Sequence, residues 1–162
     1  MGSRYLYGEG GAHQSYKEAA RWFEKAAKQG HAVAQGRLGA LHFRGEGVPQ
    51  SDQKAMEYYE LSARQGYKWA EYNLGSMYYN GRRVQKDWSR AREWWTRAAK
   101  HGEEKATKML QVLDEKEQER NEMTHKQKST NDEQRENERE NEEEEKEEKE
   151  EKVEKEINTS RQ

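Results

Sequence analysis

Five histidines, His13, His31, His42, His101 and His125, are the side chains here whose unperturbed chemistry lets them trade protons near neutral pH. As metal ligands they would need close, regular spacing, and as general bases they would need a nucleophile and an orienting carboxylate. They are scattered, and no Ser or Asp stands in a matching pattern. The chain has no cysteine, which removes thiol catalysis, disulfides and Cys-type zinc sites. Gly8-Glu9-Gly10-Gly11 has the glycine content of a phosphate loop, but no Lys-Ser or Lys-Thr follows it and no strand precedes it. We therefore read no catalytic residue, no metal site and no cofactor, and expect a chain that is not an enzyme.

The aromatic pairs Trp22-Phe23, Tyr58-Tyr59 and Trp94-Trp95 have the chemistry to stack on sugars or bases. Their spacing argues otherwise. Ala19-Trp22-Phe23-Ala27-Gly30 recurs as Ala55-Tyr58-Tyr59-Ala63-Gly66 and as Ala91-Trp94-Trp95-Ala99-Gly102, each time 36 residues on. Packing must repeat in such an array whereas ligand contacts need not, so the pairs read as core between helices.

The elements that position them follow from the same register. Ala34, Leu38, Leu41 and His42, matched by Ala70, Leu74, Met77 and Tyr78, fall at helical spacing and define a first helix, A. Within it Gly39 and Gly75 each cost about 1 kcal/mol relative to Ala, a penalty that close approach of an aromatic from a neighbouring helix would offset. Turns follow at Arg44-Gly45-Glu46-Gly47-Val48 and Asn80-Gly81-Arg82-Arg83-Val84. Ser15, Ser51 and Asp87 are N-cap residues for a second helix, B, which carries the aromatic pair and closes at Gly30, Gly66 or Gly102.

Leu-Gly, then Tyr or His, Gly-x-Gly-Val, an N-cap, a basic residue before Ala, an aromatic pair, Ala-Ala and Gly: this pattern over roughly residues 5 to 113 resembles the Sel1-like repeat, a relative of the tetratricopeptide repeat. The resemblance implies an all-α fold, a short α-solenoid of antiparallel helix pairs, serving as a non-enzymatic adaptor or scaffold for another protein. It also implies that the A helices line the concave face. Some bacterial relatives have been proposed to act on β-lactams, but they staple each repeat with a disulfide, which this chain lacks.

We expect a solenoid over 1–113, made of a half repeat at 5–30, full repeats at 31–66 and 67–102, and a last A helix at 103–113. The first unit has only four residues before Tyr5, so it reads as lacking a helix A. Trp22 or Phe23 would then be exposed and favour weak self-association. Gln111 takes the glycine place in the last helix, and Arg83 takes that of Gly47. Two complete units flanked by halves also fit a piece of a longer array without independent activity.

Positions that break the repeat are the candidates for binding a partner: Phe43, Arg44, Trp69, Tyr72, Tyr79, Lys105 and Lys108. Aromatic and basic side chains together suit a protein or peptide with acidic character. Gly36 and Ala40 occupy places where the resemblance would put the Lys and Asn of a terminal-carboxylate clamp, so chaperone-tail binding is not expected.

Charge divides the chain. Residues 1–102 carry 17 Lys and Arg against 10 Asp and Glu and hold all 16 aromatics, while residues 103–162 carry 13 against 22. The segment 114–162 is therefore a low-complexity acidic tail that cannot build a packed core. We expect 121–141 to be disordered or weakly helical, and 142–156, with Glu-to-Lys pairs such as Glu145 with Lys149 and Glu151 with Lys155, to suit a solitary charged helix. An alternative function follows from the split: an anion or nucleic-acid binder with the tail as autoinhibitor. Lys and Arg are spread round the helices rather than striped, which disfavours it. No apolar run is long enough for a membrane span, and the start lacks a signal-peptide pattern, so no membrane insertion and a cytoplasmic location are expected.

Overall fold

The computed structural model describes Gly2 and residues 15–160. Five helices of equal length, α1 (Tyr16–Lys28), α2 (Ala32–Arg44), α3 (Asp52–Arg64), α4 (Lys68–Asn80) and α5 (Trp88–Lys100), precede the long α6 (Glu104–Ser160). The B helices are α1, α3 and α5. Each starts under a side-chain cap: Ser15 accepts from the Glu18 amide at 3.3 Å, Ser51 from Lys54 at 3.2 Å and Asp87 from Arg90 at 3.0 Å. Gly30, Gly66 and Gly102 follow them in the left-handed region, which lets each chain turn at once into the next A helix.

Helices pack as the repeat demands, α2 on α3 and α4 on α5 within units, α1 on α2 and α3 on α4 between them. The second aromatic of each pair is the buried one: Phe23, Tyr59 and Trp95. Each lies on a helix-A glycine. A Cβ on Gly39 would sit 2.9 Å from the Tyr59 ring, and one on Gly75 would sit 2.5 Å from Trp95. Ala19, Ala55 and Ala91, at 0 % exposure, complete the close contact from the B side.

Two expectations change here. Gly2 is helical and buried, and its Cβ would lie 2.7 Å from Phe23. Allowing for the extra residue in the first loop, Gly2 holds the place of Gly39 and Gly75. The Gly2 backbone therefore lies against α1, and the Phe23 ring is not the exposed surface expected to drive self-association. Trp22 is half-buried with the Lys25 ammonium 4.9 Å from its ring centre. Tyr5 and Gly8 to Gly11 lie outside the described residues.

The loop exception also finds its place. Arg83 adopts φ 65°, the left-handed conformation of its counterpart Gly47 at φ 71°. Its guanidinium donates to the Gln53 side chain at 3.2 Å, while Arg82 makes a two-point contact with Asp52 at 3.0 and 3.1 Å. These contacts tie the loop to the start of α3 and offset the strain of a non-glycine residue there.

The chain folds as two compact units, Met1–Asp114 and Glu115–Gln162. Within the first, α6 supplies Ala106 and Leu113, both at 0 % exposure, and Asp114 pairs with Arg92 at 2.7 Å. Lys108, Gln111 and Asp114 stand where Gly36, Gly39 and His42 stand in α2. That side of α6 is polar and offers no glycine slot for another aromatic.

The second is helical to Ser160 and exposed almost throughout. Glu145 pairs with Lys149 at 3.3 Å, and Glu151 pairs with Lys155 in the same way. The stretch 121–141, expected to be disordered or weakly helical, is helical too. Its Glu, Lys, Gln and Arg residues are good helix formers, and the Thr124 and Thr130 hydroxyls donate back to carbonyls four residues earlier.

Two outcomes test this packing. Gly75→Ala gains about 1 kcal/mol of helix propensity but forces a methyl into the Trp95 ring, a strain of typically about 1–3 kcal/mol, so thermal unfolding should show net destabilisation. Burial pushes the Tyr59 phenol from 10.0 up to about 12, against the opposing influence of Arg44. A raised folded-state value means stability is intact below pH 10 and is lost as pH rises from 10 through 12. Titration of unfolding across that window should show the loss, and Tyr59→Phe should reduce its slope.

Candidate interaction groove

Along the A-helix side a cleft of about 370 Å³ is lined by residues of α2 and α4 together with Tyr16, Glu46, Tyr67 and Lys105. Its floor is small because Gly36 and Ala40 are small. A Cβ on Gly36 would lie 2.6 Å from the Tyr67 ring, so this glycine lets the residue preceding α4 cross α2. Four expected residues, Arg44, Trp69, Tyr72 and Lys105, come together in the lining.

Trp69 is the exposed aromatic of the group, with 40 % of its surface open. Two ammonium groups flank its ring, Lys68 at 5.8 Å and Lys105 at 5.4 Å from the ring centre. Lys68 also donates to the Gly102 carbonyl at 3.1 Å, which holds the turn before α6 against the start of α4. Tyr72 is half-buried, and its carbonyl accepts from Trp95 Nε1 and from the Ser76 hydroxyl, each at 3.1 Å. Arg44 is tied to Glu46 at 2.7 Å.

The other three expected residues lie elsewhere. Phe43 sits under the Arg82 guanidinium, 4.3 Å from its ring centre, beside a small cleft of about 40 Å³. Tyr79 packs on Trp88 and Trp95 with ring centres 6.0 and 5.4 Å away, as part of the core. Lys108 is exposed but outside the cleft lining. Tyr16, Arg37, Tyr67 and Asn73 also line the groove. Arg37 and Asn73 were legible as one repeated A-helix place, 36 residues apart, whereas Tyr16 and Tyr67 enter from outside the A helices.

The histidines are dispersed in space as well. His42 is buried, stacked on Tyr58 at 5.7 Å, with Nδ1 3.3 Å from the Pro49 carbonyl. His13 lies outside the described residues. Among the described residues no group of three acidic or histidine side chains is placed to hold a metal.

His101 forms a pair that spacing did not reveal. Its Nδ1 lies 2.7 Å from Oε2 of Glu71, a carboxylate with no exposed surface, while Oε1 lies 3.4 Å from Arg97 Nε without hydrogen-bond geometry. One repeat earlier the same two places hold Gln35 and Gln65, joined amide to amide at 2.8 Å. The recurrence makes this a tie between the start of helix A and the end of helix B, built from two amides in one unit and from a carboxyl group and an imidazole in the next.

Comparison with known proteins gives the same architecture. The Sel1 repeat model matches residues 1–31, 32–67 and 70–103. A search of curated proteins gave no match. Among solved structures, c5321, a protective antigen present in uropathogenic Escherichia coli strains with an SLR fold, is 34 % identical with a TM-score of 0.66, covering 69 % of this chain and 24 % of that one. A Sel1 repeat protein from Oxalobacter formigenes is 32 % identical with a TM-score of 0.65, covering 69 % of this chain and 44 % of that one. This chain thus spans less than half of either.

The Glu71 tie yields a mutational test. His101→Ala removes the hydrogen-bond partner of a buried carboxylate and should cost about 1–3 kcal/mol. The double change Glu71→Gln with His101→Gln rebuilds the Gln35–Gln65 arrangement and should recover most of that loss in denaturant unfolding.

Proposed function

The chain belongs to the Sel1 repeat family, whose members commonly mediate protein–protein interaction, and on that premise we propose that it is an adaptor binding a segment of a partner protein along its A-helix groove. The supporting observation is Trp69. Its ring stays 40 % open in a cleft, while the aromatics at the repeating core places Phe23, Tyr59 and Trp95 are buried. A large aromatic that the fold does not need to bury, set among basic and polar side chains, has the make-up of a binding hot spot. Tyr72 and Tyr67 extend its apolar surface, and Asn73 and Arg37 supply polar contacts at the edge.

No step of bond chemistry is assigned to the groove. The typical role of the Sel1 fold is that of a non-catalytic scaffold.

Partner capture with the full chain tests the reading. A protein retained by the parent chain should be lost with Trp69→Ala, by about 2 kcal/mol of affinity, while circular dichroism stays unchanged because the ring is exposed. Equal retention by the two would place the contact elsewhere.

A further inference from the structure

Superposing the repeats by their 36-residue shift turns the groove into rows. Val33, Trp69 and Lys105 hold one place in three successive A helices, and Gly36, Tyr72 and Lys108 hold another. Along the array both rows change from small or aliphatic, through aromatic, to cationic. In the first row packing does not force this order, since Val33 is 52 % exposed, Trp69 is 40 % exposed and Lys105 is open to solvent, whereas in the second the Tyr67 ring holds Gly36 small.

The charges at the two ends are not equivalent. On α2, Arg44 is neutralised by Glu46 at 2.7 Å. On α6, neither Lys105 nor Lys108 has a carboxylate partner among the described residues; Lys105 contacts the Trp69 ring instead. Of the acids in that turn, Glu103 is buried and accepts from the Lys105 backbone amide at 3.2 Å, and Glu104, exposed and four residues before Lys108, is not within ion-pair distance of either ammonium.

We infer that the groove recognises an acidic peptide with a set order: an apolar or aromatic side chain on Trp69 and Tyr72, and a carboxylate reaching Lys105 in the cleft and Lys108 just beyond its lining. The inference rests on the groove reading and gives it a partner chemistry. The Lys105 ammonium lies 5.4 Å from the Trp69 ring centre, and an extended chain advances about 3.3 Å per residue with alternate side chains on one face. The acid therefore stands about two positions from the apolar anchor. The exposed lysines supply selection of sign more than raw affinity, and that selection weakens with salt.

The test uses the full chain and fluorescein-labelled eight-residue peptides read by anisotropy at low salt. One carries Phe with two Glu two and four positions on; isomers reverse the order or place Glu beside Phe; another replaces both Glu with Lys. Expected is roughly tenfold tighter binding of one spaced Glu peptide than of the Lys version or the adjacent isomer. The double change Lys105→Glu with Lys108→Glu should invert the preference towards the Lys peptide, with circular dichroism unchanged.

If Trp69→Ala weakens binding but the double lysine change leaves the preference for Glu intact, the groove stands and the acid assignment falls. Equal binding of the spaced and adjacent isomers overturns the ordering. If no peptide binds, the inference falls, and the adaptor reading is then decided by whether Trp69→Ala abolishes partner capture.

Discussion

The contact between a helix-A glycine and a buried aromatic from helix B sets everything else in the solenoid. With Gly39 under Tyr59 and Gly75 under Trp95, the helices approach more closely than any β-carbon would allow. Each glycine costs about 1 kcal/mol in propensity, and each ring it admits buries a large apolar surface, which outweighs that cost. The separation so fixed lets Ala55 and Ala91 pack without residual exposure, and it places each turn over the start of the preceding B helix. Gly2 extends the same contact to Phe23. On α6 the equivalent place is Gln111, polar and exposed.

Once that contact is fixed, other positions are free to differ, and the groove is made from them. Places facing the core hold to a narrow choice from unit to unit, as Ala34 with Ala70, Leu38 with Leu74 and Leu41 with Met77. One exposed A-helix place reads Val33, Trp69 and Lys105 in turn, and of these Trp69 and Lys105 line the cleft. The tie between helix ends shows a milder freedom. Gln35 with Gln65 and Glu71 with His101 fill the same place, one with two amides and one with a carboxyl group and an imidazole. A buried carboxyl group tolerates this only while its polar partners stay close.

The acidic segment follows a different rule. It has no aromatics and almost no burial, so helix propensity and pairs such as Glu145 with Lys149 carry its secondary structure. Each such pair contributes only about 0.2–0.5 kcal/mol and is screened by salt. The same residues that keep it from building a core suit it to a solvated helix.

The sequence by itself determined the period, the helix pairs, the caps at Ser15, Ser51 and Asp87, and the aromatic packing, because each is a local rule repeated in register. It also singled out Arg44, Trp69, Tyr72 and Lys105 as departures from the repeat. Only the tertiary structure decided that these four line one cleft while Phe43 and Tyr79 are absorbed elsewhere, since all six sit on helix-A faces or their borders and differ only in what reaches across to them. Arg82 covers Phe43, and Trp88 with Trp95 takes Tyr79. The pairing of His101 with Glu71, 30 residues apart, was likewise invisible to spacing, because it depends on where two helix ends meet in space.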